Sequence, residues 1–409
     1  MTTRSSLRPV MPILIGAAVL MTLSMGVRQS LGLFMTPLTR DVAITISDFT
    51  LAIAVQNLAW GFLQPITGAL AVRTGFRPIL LAGSVLFTGG LAVMAAAQGF
   101  VTVMLGAGIL IGGGLACIAA AMALSVASRA VPADRRSFVL GAVSAAGSLG
   151  AFLAAPIGQY LSVEHGWRFG IAAFVVICLG LIPAAWFAGR VDQVAEPRTT
   201  GPQLGDTTFL VALKTAMSRP AFLVMAIAYF VCGLQLVFLT THLPAYLAIC
   251  GMDPMLSAQT LGVIGCFNMM GSLFFGWAGG RWSKEGLLGL IYTLRSIALG
   301  FYFVMPPTPA TTLVFGAVMG FLWLGVAPLV AGAVVEMFGL RWQAMIQGLA
   351  FMSHQVGSFV GAFGGGLLFD MLGSYDLAWR LGVAMGLTAG VAQMLFAIPR
   401  GRPPRIATA

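Results

Sequence analysis

Charge is what this sequence has least of. Only 8% of its 409 residues are Asp, Glu, Lys or Arg, where a soluble domain carries about a quarter. With 59% apolar residues the chain has too little polar surface to cover a water-soluble body, so lipid must solvate much of it. Apolar runs near or above the roughly 18 residues that cross a bilayer recur along the whole length. Acids are scarcer than bases, 12 against 22, and none of the 12 sits at the centre of an apolar run. Carriers of cations place a carboxylate at mid-membrane, so this absence argues against a cationic substrate or a cationic-drug pump. Cysteine appears five times (Cys117, Cys178, Cys232, Cys250, Cys266) and histidine three, with no CxxC and no Cys/His cluster. Neither a disulfide framework nor a metal site is expected, and no cofactor. HExxH, GxSxG and the Walker phosphate loop are all missing, so an enzyme is not expected. The net charge of +10 does not indicate nucleic acid, because the basic residues stand one to four at a time in short loops. The first apolar run is too long for a cleavable signal peptide and reads as a retained helix.

Twelve membrane helices are expected, at 11–38, 49–72, 78–97, 101–127, 138–161, 167–189, 220–247, 257–280, 286–305, 310–335, 342–369 and 377–398. One long polar stretch, 190–219, interrupts them; it holds Asp192, Glu196, Pro197, Arg198, Pro202 and Asp206, a linker composition. The chain therefore divides into an N-terminal six-helix bundle (1–190), a cytoplasmic linker (191–218) and a C-terminal six-helix bundle (219–409). The basic residues alternate with this map. Seventeen lie at the two termini and the even-numbered loops, three in the odd loops (Arg40, Arg168, Arg380), and two inside helices. By the positive-inside rule both termini and the linker are cytoplasmic.

The two basic residues inside helices are Arg28 and Arg295. Arg28 lies roughly 25 Å and 15 Å along the first helix from its two ends. A guanidinium at that depth needs a wet or anion-lined interior, or else carbonyls and a helix end that satisfy it structurally. Arg295 is read either as a structural cation paired with Glu336 or Asp370, or as a source of field for a cavity. Gln56, Trp60 and Gln64 share one face of the second helix, with Asn57 beside them. Gln235 and His242 share a face of the seventh, Asn268 lies in the eighth, and His354 and Ser358 share a face of the eleventh next to Gln355. Each needs a partner where there is no water. They either converge on a cavity with Arg28 or bond neighbouring helices together. His242, in Thr240-Thr241-His242-Leu243-Pro244, is an outer gate or titrating group on one reading and an interfacial histidine on the other.

The two halves echo each other. Gly68 stands five residues before Arg73, and Gly276 five before Arg281, each at a cytoplasmic turn. With Gly75 and Arg77 the first copy resembles the Gly-x-x-x-Asp-Arg-x-Gly-x-Arg loop of the major facilitator superfamily, with Val72 at the acidic position. The resemblance covers the whole length. It implies an all-α membrane protein of twelve helices in two six-helix bundles, a substrate cavity between them near the midplane, and alternating access. The first, fourth, seventh and tenth helices would line that cavity most directly. Gly26, Arg28, Ser30 and Gly32, the Thr-His-Leu-Pro end of the seventh helix, and the Tyr-x-x-Arg of the ninth resemble bacterial members of the monocarboxylate and oxalate/formate branch.

These residues lead to one expectation and one alternative. The chain is expected to be a secondary carrier of a small organic anion, a monocarboxylate above all, in a bacterial inner membrane, working as a monomer by proton symport or anion exchange. Arg28 would hold the carboxylate; Gln29, Gln56, Asn57, Gln235, Asn268 and Gln355 would orient it; His354 would be a polar or titrating partner. His242 and Arg295 are the gating or coupling candidates. Proton coupling would need a histidine, whose ordinary pKa of about 6.5 suits it, or a protonatable substrate. The alternative is a carrier of a neutral or amphiphilic compound, a vitamin or drug, stacked on Trp60, Trp323 and Phe267.

Overall fold

The computed structural model describes residues 7–195, 204 and 207–397. Glu196, Arg198 and Asp206 of the linker, and Arg4, Arg400, Arg402 and Arg405 of the charge map, lie outside the described residues. Among the described residues, twelve helices are long and apolar enough to cross a membrane: Arg8–Asp41, Ile46–Thr74, Phe76–Ala95, Phe100–Ala130, Ala133–His165, Trp167–Gln193, Pro220–Ile249, Met255–Ala278, Lys284–Val304, Pro309–Phe338, Gln343–Leu372 and Asp376–Ala397. Each end falls within five residues of its expected place. The linker, expected as polar chain, ends in the helix Phe209–Ser218, capped by Thr208.

With an even number of crossings, both described ends of the chain lie on one face, called the terminal face below. Within the first bundle the first and fifth spans touch backbone to backbone: a Cβ on Gly150 would sit 1.9 Å from Thr22 O. The seventh and eleventh spans do the same in the second bundle, where a Cβ on Gly357 would sit 2.0 Å from Phe230 O. Without a hydrophobic force between helices in lipid, such close packing of small residues is what holds a bundle together.

The bundles meet along two seams. In one, the second span lies against the eleventh: a Cβ on Gly68 would meet Met345 N at 2.5 Å, and one on Gly348 would meet Pro65 N at 2.8 Å. In the other, the fifth lies against the eighth, with Gly141 facing Gly276. Both seams run through the half nearer the terminal face. There Arg129 of the fourth span also donates across to Leu340 O (3.2 Å) and Arg341 O (3.0 Å), at the carbonyl end of the tenth span. Gln343 Nε2 donates to Ser128 Oγ at 3.0 Å. The cleft between the bundles is thus closed at the terminal face; beyond Asn57 and Gln355, toward the opposite face, no hydrogen bond among the described residues joins the bundles.

Several spans are irregular, and polar side chains answer the irregularities. The fourth passes through a π segment at Met104–Leu110 and breaks at Ala119, which is extended. A carbonyl freed that way has no water to turn to. Gln56 Nε2 donates to Ala107 O and Gln64 Nε2 to Ala116 O, both at 2.8 Å. The tenth span breaks between Phe321 and Val326; there Leu324 N donates to Asn268 Oδ1 at 2.8 Å. The eleventh has a π segment at Val360–Gly364, where His242 Nε2 donates to Ala362 O at 2.9 Å.

The loop after the second span carries Val72 where the family signature has an acid. The third span starts just after Gly75, which has φ +87° and no side chain to cap it. Asp192, at the end of the sixth span, supplies the carboxylate: it accepts from Phe76 N at 2.8 Å and Arg77 N at 3.0 Å. Asp192→Ala is expected to cost about 1 kcal/mol, the usual worth of such a cap, seen as a lower thermal unfolding midpoint in detergent. Asp192→Asn should recover only part of it, because its amide keeps one accepting oxygen and sets an NH2 against the other backbone N–H.

Candidate substrate site

Arg28 occupies the last turn of the regular part of the first span, which ends at Ser30 and tightens into a 3-10 turn at Leu31–Phe34. Its Nη2 donates to Asn57 Oδ1 at 2.5 Å, and its Cζ lies 5.0 Å from the centre of the Trp60 ring. Its Nε is buried without a partner. Among the described residues no carboxylate lies within ion-pair distance of it. A buried donor with no acceptor costs about 1–3 kcal/mol, more for a charged group. The site therefore holds an under-satisfied cation facing the other bundle.

That bundle answers with the eleventh span. Gln355 Nε2 donates to Asn57 O at 3.0 Å and lies 3.4 Å from Asn57 Oδ1. Its Oε1 meets His354 Nδ1 at 3.2 Å. Beneath this polar layer, toward the terminal face, lies an aromatic floor shared by both bundles. Trp60 packs on Phe351 with centroids 4.5 Å apart, and Trp60 Nε1 donates to Gln64 Oε1. His354 stacks on Phe351 at 5.5 Å and leans on Tyr229 at 4.6 Å. Trp60, Phe351 and Tyr229 are each less than a tenth exposed. The floor seals the cleft on one side; the cation and the imidazole lie above it on the open side.

Of the residues expected around Arg28, the structure brings together Asn57, Gln355 and His354. Gln29 is exposed and makes no hydrogen bond to them. Gln56 and Asn268 are spent on helix irregularities, as above. Gln235 is 1% exposed inside the second bundle, where it bonds Arg295, Ser296 and Gly382 O. The pairing expected for Arg295 is corrected. Arg295 is 0% exposed and donates to Gln235 Oε1 (3.0 Å) and Cys232 Sγ (3.3 Å), over the Tyr292 ring. Glu336 instead holds Lys284, and among the described residues no ion pair joins Asp370 to Arg295. His242 is held between Ala362 O and Tyr375 OH. Burial, with Asp370 nearby, holds the Tyr375 phenol above its ordinary range; with Nε2 donating to Ala362 O, Nδ1 of the neutral ring accepts from the Tyr375 hydroxyl. Trp323 and Phe267 make no ring contact with the floor among the described residues.

Sequence reasoning missed Phe351 and Tyr229. Phe351 stands three residues before His354, on the same helix face, and that spacing was a usable signal. Tyr229 meets His354 only through packing between spans, which nothing local announces.

The Major Facilitator Superfamily model matches residues 17–362, most of the chain. The chain belongs to that superfamily. Two relatives of this superfamily member are named monocarboxylate transporters. It is 25% identical to monocarboxylate transporter 13 of Rattus norvegicus, over 87% of this chain and 81% of that one. It is 27% identical to monocarboxylate transporter 11 of Mus musculus, over 93% and 85%. A crystal structure of the superfamily transporter FucP in the outward conformation superposes with a TM-score of 0.73 at 14% identity, over 95% of this chain and 99% of that one. The last likeness concerns the fold alone.

Proposed function

We propose that this superfamily transporter carries a small organic anion, a monocarboxylate, by alternating access. The observation that carries the reading is Arg28: a cation between the bundles, unopposed by any described carboxylate, whose Nη1 has no described partner and is not sealed from solvent. An anion supplies both the charge and the acceptor it lacks. The names of the relatives point the same way. The two rocking bodies are 1–190 and 219–409, joined by 191–218. The excess of Lys and Arg on the terminal face supports a cytoplasmic placement of both ends. The cleft then opens outward, and the aromatic floor is the inner seal. Such a protein belongs in a bacterial inner membrane, driven by proton symport or anion exchange.

A thermal-shift panel on the detergent-purified protein tests the ligand class. Monocarboxylates of two to ten carbons are expected to raise the unfolding midpoint, since a ligand that binds only the folded state stabilises it by mass action. Their amides and methyl esters should not. Stabilisation by the neutral analogues but not by the acids would favour the neutral-compound carrier instead, with Trp60 as its stacking surface.

A further inference from the structure

The hydrogen bonds around Arg28 have a fixed direction, and the direction reaches His354. A guanidinium only donates, so the atom of Asn57 that faces it must be the oxygen. Gln355 approaches that oxygen and the Asn57 carbonyl, two acceptors, so it must present its NH2. Its own oxygen then faces His354 Nδ1, 3.2 Å away. Two acceptors cannot bond, so Nδ1 must carry the hydrogen. Ser358 agrees independently: its hydroxyl hydrogen is used on His354 O at 2.9 Å, leaving an oxygen lone pair toward Nδ1 at 3.4 Å. In the neutral ring Nε2 is therefore a bare acceptor. It has no partner among the described residues and is not one of the atoms sealed from solvent. Arg28 Nη1 is in the same position: no described partner, and not sealed.

The two open atoms belong to side chains that share one aromatic floor. Arg28 lies over the Trp60 ring and His354 over the Phe351 ring, and those rings touch. Asn57 and Gln355 tie the pair together across the bundle boundary. Asn57 stands one turn from Trp60, and His354 one turn from Phe351. In both spans that turn leads toward the open end, so cation and imidazole share one side of the floor. What they offer an incoming molecule is a donor pair at one end and an acceptor at the other.

The geometry points to a substrate that carries a hydrogen-bond donor as well as its carboxylate: a hydroxy monocarboxylate, with His354 Nε2 selecting it over the oxo acid of the same skeleton. An oxo group would set lone pair against lone pair. The inference rests on the reading of Arg28 as the carboxylate anchor and adds to it a second contact. A pocket built to bond a substrate hydroxyl rejects the analogue that lacks one because its own polar group is left unpaired.

The test is competition for uptake into proteoliposomes at neutral pH, using two matched pairs: 2-hydroxybutanoate against 2-oxobutanoate, and 3-hydroxybutanoate against 3-oxobutanoate. At least one hydroxy acid is expected to compete about fivefold or more better than its oxo partner, the worth of one net hydrogen bond. His354→Phe keeps the stack on Phe351 but has no acceptor; it should bring the ratio to about one by weakening the hydroxy acid alone. Equal competition within both pairs in the unaltered protein overturns the role of His354 and leaves the anion reading standing. That comparison needs no variant, so a misfolded His354→Phe does not protect the idea. Absence of competition by all four acids overturns the anion reading and this inference with it.

Discussion

Arg28→Ala is expected to remove carboxylate uptake, lowering the initial rate in proteoliposomes roughly 100-fold. The estimate follows from the contact. A guanidinium meeting a carboxylate with two parallel bonds is the stronger kind of hydrogen bond, each worth about 1.5–3 kcal/mol. Two such bonds are worth about 3–6 kcal/mol; with the Asn57 bond that the carboxylate displaces subtracted, about 3 kcal/mol remains, roughly two decades of affinity. Arg28→Lys should fall between, about tenfold down, because an ammonium keeps the charge but not the fork. Circular dichroism and gel filtration establish that the variants fold. The alanine variant loses only the Asn57 bond and the stack on Trp60, so folding should survive. A folded Arg28→Ala protein that transports at the original rate would end the carboxylate-anchor claim.

The second large effect concerns the seam. A Cβ on Gly68 would stand 2.5 Å from Met345 N and 2.6 Å from Ala344 C, backbone atoms of the other bundle. A packed backbone does not yield by an ångström, so Gly68→Leu can be housed only by parting the bundles at the terminal face. The interior of neither bundle is touched, and the protein should stay folded. The distance between spin labels placed at Thr74 and Arg281, the ends of the second and eighth spans on that face, is expected to lengthen by several ångströms. Uptake should drop about tenfold, because one end state of the cycle is denied. Gly141→Leu, against Gly276 in the other seam, should act in the same direction. Unchanged distances together with unchanged rate would mean that the seams are not where the bundles separate.

The twelve spans were legible because membrane helices declare themselves by length and apolarity alone, and charge alternation checks their number independently. The site was legible only in part. Arg28 stood out by its depth in an apolar run. The amides did not sort themselves, since Gln56, Asn57, Gln235, Asn268 and Gln355 look alike in sequence. Gln235 is claimed by Arg295, and what separates the other four is whether a neighbouring helix is irregular where they reach it. Gln56 faces a π segment and Asn268 faces a break, so each completes a backbone bond. Asn57 and Gln355 face no such defect and are left for one another and for Arg28. Irregularities of this kind arise from packing in three dimensions. For the same reason the partner of Arg295 could not be read: its acceptor, Gln235, lies 60 residues away on another span.

Asn57 Oδ1 occupies the place at the guanidinium that a visiting carboxylate oxygen would claim. On the proposed reading, loading would be an exchange of one acceptor for another, and the affinity would report the difference between two bonds. Modest dissociation constants follow, which suits a protein that must let go on the far side. The displaced amide also belongs to one bundle while its other companion, Gln355, belongs to the second. Cargo that displaced Asn57 Oδ1 would remove the longer of its two contacts with Gln355, at 3.4 Å, and leave the bond to the Asn57 backbone carbonyl at 3.0 Å, so loading would slacken the tie between the halves without cutting it.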